Sequence, residues 1–186
     1  GCGVDPHSLN HSINDALLGR NEIERCLMPL NDLGFTILPA TPELTEAEVM
    51  LLSSGSKEFT LKNILLEQES EFDYIIIDCP PSLNILTVNA LTAATGVLIP
   101  VQCEFFALQG LSELMTTIDT IKSSSNQNLV IKGIIRTMFD PRNNLATDVS
   151  AQLIKFFTDK LYRTVIPRNI TLAEAPSHGL PVIKYD

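Results

Sequence analysis

Apolar and polar positions along this chain follow two rhythms, one helical and one extended, and the two alternate from end to end. The spacing predicts helices over Ser8–Leu18, with Ser8 as N-cap and Gly19 as the stop, then Pro42–Leu52, Phe59–Glu67, Asn84–Ala93, Ala107–Lys122 and Leu145–Phe157. The longest, Ala107–Lys122, puts Leu108, Leu111, Leu114, Met115, Ile118 and Ile121 on one stripe. Phe35–Ala40, Tyr74–Asp78, Gly96–Val101, Leu129–Phe139 and Tyr162–Pro167 read as strands. Strands alternating with helices make βαβ units, so the expected fold class is α/β, a mostly parallel sheet with helices on both faces. "YIII" and "VLI" are apolar on both sides, as a sheet covered on each face requires. At 186 residues, with no internal repeat or low-complexity linker, the chain is expected to form one domain spanning 1–186.

Composition narrows the function classes. The chain is 45% hydrophobic and 19% charged and has no Trp, an ordinary globular mix. No apolar stretch reaches the length of a bilayer span, and "GCGVDPHSLN" has neither the basic start nor the apolar core of a signal peptide. A cytoplasmic location is expected. Cys2, Cys26, Cys79 and Cys103 form no C-x-x-C and no zinc-binding spacing, and two of them sit in apolar surroundings as small hydrophobes. His7 and His11, four apart on a predicted helix, lack a third ligand and read as a surface pair; His178 reads as a loop residue. The net charge of −9 repels nucleic acid, so DNA binding would need a local basic patch or an oligomer that concentrates one.

Candidate chemistry gathers where strands end. Asp78-Cys79-Pro80-Pro81-Ser82, Gln102-Cys103-Glu104, Thr137-Met138-Phe139-Asp140 and Ile166-Pro167-Arg168-Asn169 all fall at strand carboxyl ends, where open parallel sheets bind ligands. Each alone reads as a turn; together they edge a cleft. An apolar strand closing on an aspartate is how phosphoryl-transfer folds hold Mg²⁺, commonly through a water, and Asp78 has that place. The prolines after it remove backbone donors and stiffen the turn, which suits a switch beside a γ-phosphate. Ser82 has no His/Asp partner implied by position, which argues against a hydrolase nucleophile.

The runs "EFDYIIIDCPPSLNILTVNALTAATGVLIPVQCEFFALQGLSELMTTI", "GIIRTMFDPRNNL" and "TVIPRNITLAEAPSHGLPVIKYD", with "GVDP" and "LPATPELTEAE" before them, carry a family likeness. Over essentially its whole length the chain resembles the ParA/Soj family of partition ATPases, in the MinD/ParA branch of the P-loop NTPases. The resemblance implies that Asp78 is the catalytic Walker B aspartate and the Mg²⁺ contact, through water. Pro80, Pro81 and Ser82 match the switch region, Met138, Pro167 and Asn169 fall where the family lines its adenine pocket, and Arg142 matches a DNA-binding position. ATP and Mg²⁺ are the implied cofactors. A homodimer formed on ATP, non-specific DNA and a ParB-like centromere-binding protein are the implied partners, at the nucleoid and with no membrane. Arg136, Lys155, Lys160, Arg163, Arg168 and Lys184 are further candidate DNA contacts, for which an ordinary solvated surface accounts equally well.

The departures are as specific. No G-x-x-x-x-G-K-S/T occurs, and "SGSKEF" has neither the spacing nor a preceding strand. The expectation is a fragment truncated at both ends of a working ATPase, and a chain that by itself hydrolyses no ATP. Thr171 stands where family members often carry a basic residue, which weakens the DNA inference. Two rival readings are a degenerate, non-catalytic interaction module and a MinD-like membrane-cycling ATPase. The second requires a C-terminal amphipathic helix that this sequence does not contain.

Overall fold

The computed structural model describes residues 2–53, 55, 57–80 and 82–185. They fall into two compact units, Asp5–Ala94 and Thr95–Asp186, the second taking in Gly1–Val4.

The N-terminal unit contains α1 (Ile13–Leu17), α2 (Ile23–Cys26), β1 (Met28–Leu30), β2 (Phe35–Ile37), α3 (Leu44–Ser53), α4 (Thr60–Leu66) and α5 (Ile85–Ala93). The helix expected over Ser8–Leu18 is interrupted. Pro6–Ser8 forms a 3-10 turn whose cap, Asp5, accepts from the His7 N–H at 2.9 Å. α1 begins only after Ser12, which accepts from the Asn14 N–H at 3.3 Å while Asp15 accepts from the Ser12 N–H at 2.9 Å. This reciprocal box makes Ser12 the N-cap in place of Ser8, so His7 and His11 share no helix face. β2 pairs antiparallel with β1 in a hairpin that the apolar pattern does not signal.

Leu17, Ala47, Leu61 and Ala90 form the core of this unit, with Ile13, Leu44, Ile64 and Leu86 packed against them. Asn89 stitches the core from inside. Its carbonyl oxygen accepts from the Leu61 N–H at 3.1 Å, and its amide donates to the Lys57 and Ile85 carbonyls at 2.8 and 2.9 Å. A buried amide is tolerated when its groups are engaged in this way.

Tyr74–Asp78, expected as a strand, belongs to no ladder among the described residues. Tyr74 is 88% and Ile76 91% exposed, and only Ile77 packs on the core. An apolar run has the propensity for a strand, but a ladder needs the N–H and C=O groups of a neighbour. Among the described residues of this unit, β1 and β2 pair with each other.

The C-terminal unit has the expected alternation: β3 (Gly96–Gln102), α6 (Ala107–Ser124), β4 (Val130–Phe139), α7 (Asn144–Phe157), β5 (Leu161–Pro167) and α8 (Ile170–Glu174). β3, β4 and β5 make a parallel sheet in that order, flanked by helices, which is the α/β class read from the pattern. The α6 stripe buries Leu111, Ile118 and Ile121. Ile118, Leu129, Ile134 and Leu153 are fully buried, each worth about 1.5–3 kcal/mol of transfer free energy.

Candidate functional site

β4 and β5 finish side by side. Phe139 stands opposite Pro167, and the Arg168 N–H donates to the Phe139 carbonyl at 3.0 Å. Just before that link Met138 takes a φ of 52°, in the left-handed region that side chains other than glycine seldom occupy. Such strain persists only where the surroundings hold it, and it concentrates at functional sites. Asn169 caps α8, its carbonyl oxygen accepting from the Leu172 N–H at 3.3 Å. Among the described residues no hydrogen bond engages its side-chain NH₂. The structure therefore brings Met138, Pro167 and Asn169 to one sheet edge, and Met138 is 41% exposed there.

The loop after β4 carries Arg142. Its Nε and Nη2 donate to the two carboxylate oxygens of Asp140 at 3.0 and 2.8 Å, and its backbone N–H donates to the same carboxylate at 3.0 Å. These bonds, with Arg168 adding its charge, hold the Asp140 carboxyl at about 2. The Arg142 side chain remains 88% exposed. Asn143 then caps α7, accepting from the Leu145 N–H at 3.0 Å.

Lys155, Lys160, Arg163, Arg168 and Lys184 are exposed, and so is Thr171 in α8. Arg136 is not. It is 8% exposed and donates to the Ser150 hydroxyl at 2.8 Å and to the Tyr162 and Arg163 carbonyls at 3.3 and 3.1 Å. Its place among the DNA contacts is corrected for a simple reason. Side chains alternate along a strand, and Arg136 is in phase with the fully buried Ile134. Parity alone did not signal this, since Lys132 and Met138 share the same phase and are exposed.

Asp78, Pro80 and Ser82 belong to the N-terminal unit. Asp78 is exposed at the end of its extended segment, and among the described residues no hydrogen bond or ion pair engages its carboxylate. No group of three His, Cys, Asp or Glu residues is poised around a metal position among the described residues. The exposed carboxylate of Asp78 is uncommitted among the described residues. Partial desolvation and then the Asp78 charge push the Cys79 thiol up. Downstream, the Ser82 carbonyl accepts from the Thr87 hydroxyl at 2.7 Å and Asn84 caps α5 through the Thr87 N–H at 3.1 Å, tying the end of this turn to the helix. Pro81 lies outside the described residues. A polar cleft of about 530 Å³ in the same unit, lined by Arg20, Glu22, Arg25, Asn63 and Glu67, was not foreseen.

A family model described as an AAA domain matches residues 1–131. The chain is 45% identical over 186 residues to the chromosome partitioning protein ParA of Myxococcus xanthus, covering all of this chain and 66% of that protein. It is 44% identical over 186 residues to the sporulation initiation inhibitor protein Soj of Bacillus subtilis, covering all of this chain and 74% of that one. The chain belongs to the ParA/Soj family of partitioning ATPases. Among solved structures this ParA/Soj chain is similar to the cobyrinic acid a,c-diamide synthase of Mycobacterium smegmatis with bound ATP analogue and magnesium. The TM-score is 0.84 at 34% identity, over 97% of this chain and 79% of that one. The likeness read from the "DCPPS" and "PRN" segments is borne out as a family and as a fold.

Proposed function

We propose that this chain supplies the adenine-binding edge and one magnesium contact of a ParA/Soj ATPase. The native protein would dimerise on ATP, bind DNA without sequence preference as that dimer, and be reset by a ParB-like partner. The observation that carries the reading is the shared end of β4 and β5, where Met138 is held at a φ of 52° beside Pro167 and Asn169. A purine offers flat apolar faces and a rim of acceptor nitrogens. A thioether and a proline ring suit the faces, and the uncommitted NH₂ of Asn169 suits the rim.

Asp78 would orient a water in the magnesium shell, and the cation would supply charge neutralisation at the phosphates. Water is the nucleophile: its oxygen bonds to the γ-phosphorus, the bond to the bridging oxygen breaks, and ADP and phosphate leave. The sequence has no G-x-x-x-x-G-K-S/T to cradle phosphates, so the reading concerns the native full-length protein and not this chain alone. For DNA, Arg142 presents an exposed guanidinium oriented by Asp140, and pairing two copies would concentrate such cations against a net charge of −9.

The test is ATP hydrolysis by the native full-length protein, with DNA retardation measured in ATP and in ADP. Asp78→Ala is expected to lower hydrolysis by about 100-fold or more. Arg142→Glu is expected to abolish the ATP-dependent shift. A wild-type protein that neither hydrolyses ATP nor shifts DNA in its presence would be a non-catalytic interaction module instead.

A further inference from the structure

The ladder between β4 and β5 is irregular at two places, between Ile134 and Arg136 and again between Arg136 and Phe139, and the first is the larger. Ile134 stands opposite Leu161 and Arg136 opposite Val165, so the single residue Ile135 faces three, Tyr162 to Thr164. A bulge of this kind displaces the ladder's own donors from the carbonyls it passes over. Arg136 reaches two of those carbonyls, Tyr162 and Arg163, at 3.3 and 3.1 Å, and anchors to Ser150 of α7 at 2.8 Å.

This is a costly arrangement. Arg136 is 8% exposed, its Nε has no partner among the described residues, and the three groups it does meet are neutral. A buried charge without a counter-charge is destabilising relative to a well-packed apolar side chain. From the other side of the sheet the Tyr162 ring lies over Gly133 and leaves no room there for a Cβ. The bulge is therefore clamped from both faces. Downstream of it are the two strand ends that carry Met138 and Pro167–Asn169.

We propose that Arg136 is a positioning residue for the base-binding edge, setting the register of β5 so that Pro167 and Asn169 arrive beside Met138. The inference rests on the reading that these three residues hold adenine. Without the guanidinium, β5 has a choice of registers across the bulge, and base contacts made by its last residues are lost before the fold is.

The test compares Arg136→Met, Arg136→Lys and Ser150→Ala in the native full-length protein, reading KM and kcat for ATP, the preference for ATP over GTP, and the melting temperature. Arg136→Met is expected to raise KM for ATP about tenfold with kcat little changed and to erode the preference for ATP. Arg136→Lys restores one donor and should recover part of the loss. Ser150→Ala removes only the anchor on α7, and is expected to raise KM about threefold even if Arg136→Met fails to fold. A lower melting temperature with KM and base preference unchanged in the soluble variants makes Arg136 merely structural and overturns the proposal alone. A wild-type protein that binds no ATP overturns the adenine reading and this inference with it.

Discussion

Tyr74–Asp78 and β3 carry the same signal in the sequence, a short apolar run closing on a polar residue, and they end differently. β3 is paired along its length with β4, from Gly96 opposite Val130 to Gln102 opposite Thr137, and buries Ile99 and Val101. The Tyr74 run is extended but unpaired, with Tyr74 88% and Ile76 91% exposed. Both runs are equally fit for a strand. What separates them is a partner: β3 finds one beyond an 18-residue helix, whereas among the described residues no strand flanks the Tyr74 run. Apolar patterning thus states a need for burial without saying where it is met.

Core truncation should break the symmetry between the two runs most strongly. Ile134 of β4 is fully buried, so Ile134→Ala is expected to cost about 2–5 kcal/mol in urea unfolding. Ile76→Ala should stay within about 0.5 kcal/mol. Equal costs would mean that Ile76 is packed in solution and that the contrast is false.

The cysteines sharpen the comparison without mutation. Cys79 follows the unpaired run and is exposed, whereas Cys103 follows β3 and is 5% exposed. Site-resolved maleimide labelling should modify Cys79 in the native chain and Cys103 only on unfolding. Desolvation holds both thiols above their ordinary value, with Arg136 partly opposing the rise at Cys103, so labelling of Cys79 should accelerate as the pH climbs through 9. Comparable native rates would mean that the end of β3 opens as freely as the Asp78 segment.

The smallest effect lies at the exposed pair beyond β4. With the folded value of Asp140 depressed to about 2, its pairing with Arg142 is complete above the ordinary carboxylate range and is lost as the pH falls through about 2. A carboxyl NMR titration should give that midpoint, and Arg142→Ala should return it toward the ordinary range. An unchanged midpoint in the variant would place the cause of the shift elsewhere than in the guanidinium.

Much of the C-terminal unit was legible because its signals are local. The α6 stripe is a repeat within one helix, and the helix–strand alternation from Gly96 onward is punctuated by turn residues at each end. The caps were less legible. Ser8 and Ser12 are equally good N-caps by type; what separates them is the capping-box spacing to Asp15, present after Ser12 and absent after Ser8, and the structure closes that box. Of the candidate site residues, Met138, Pro167 and Asn169 stand in runs at strand ends, but it was the family resemblance that singled them out. The left-handed turn at Met138 left no trace in the sequence, since nothing about a methionine announces it.

The order of residues alone carries the α/β class and the short list of strand-end side chains, which rest on spacing within about a dozen positions, and the family, which rests on likeness along the whole chain. Packing decided the rest. It left the Tyr74 run without a ladder, moved Arg136 from the surface to a clamp over the β5 bulge, and folded Arg142 back onto Asp140. Each of those outcomes turns on where a hydrogen-bonding partner sits in space. No one-dimensional pattern of apolar and polar residues encodes that distance.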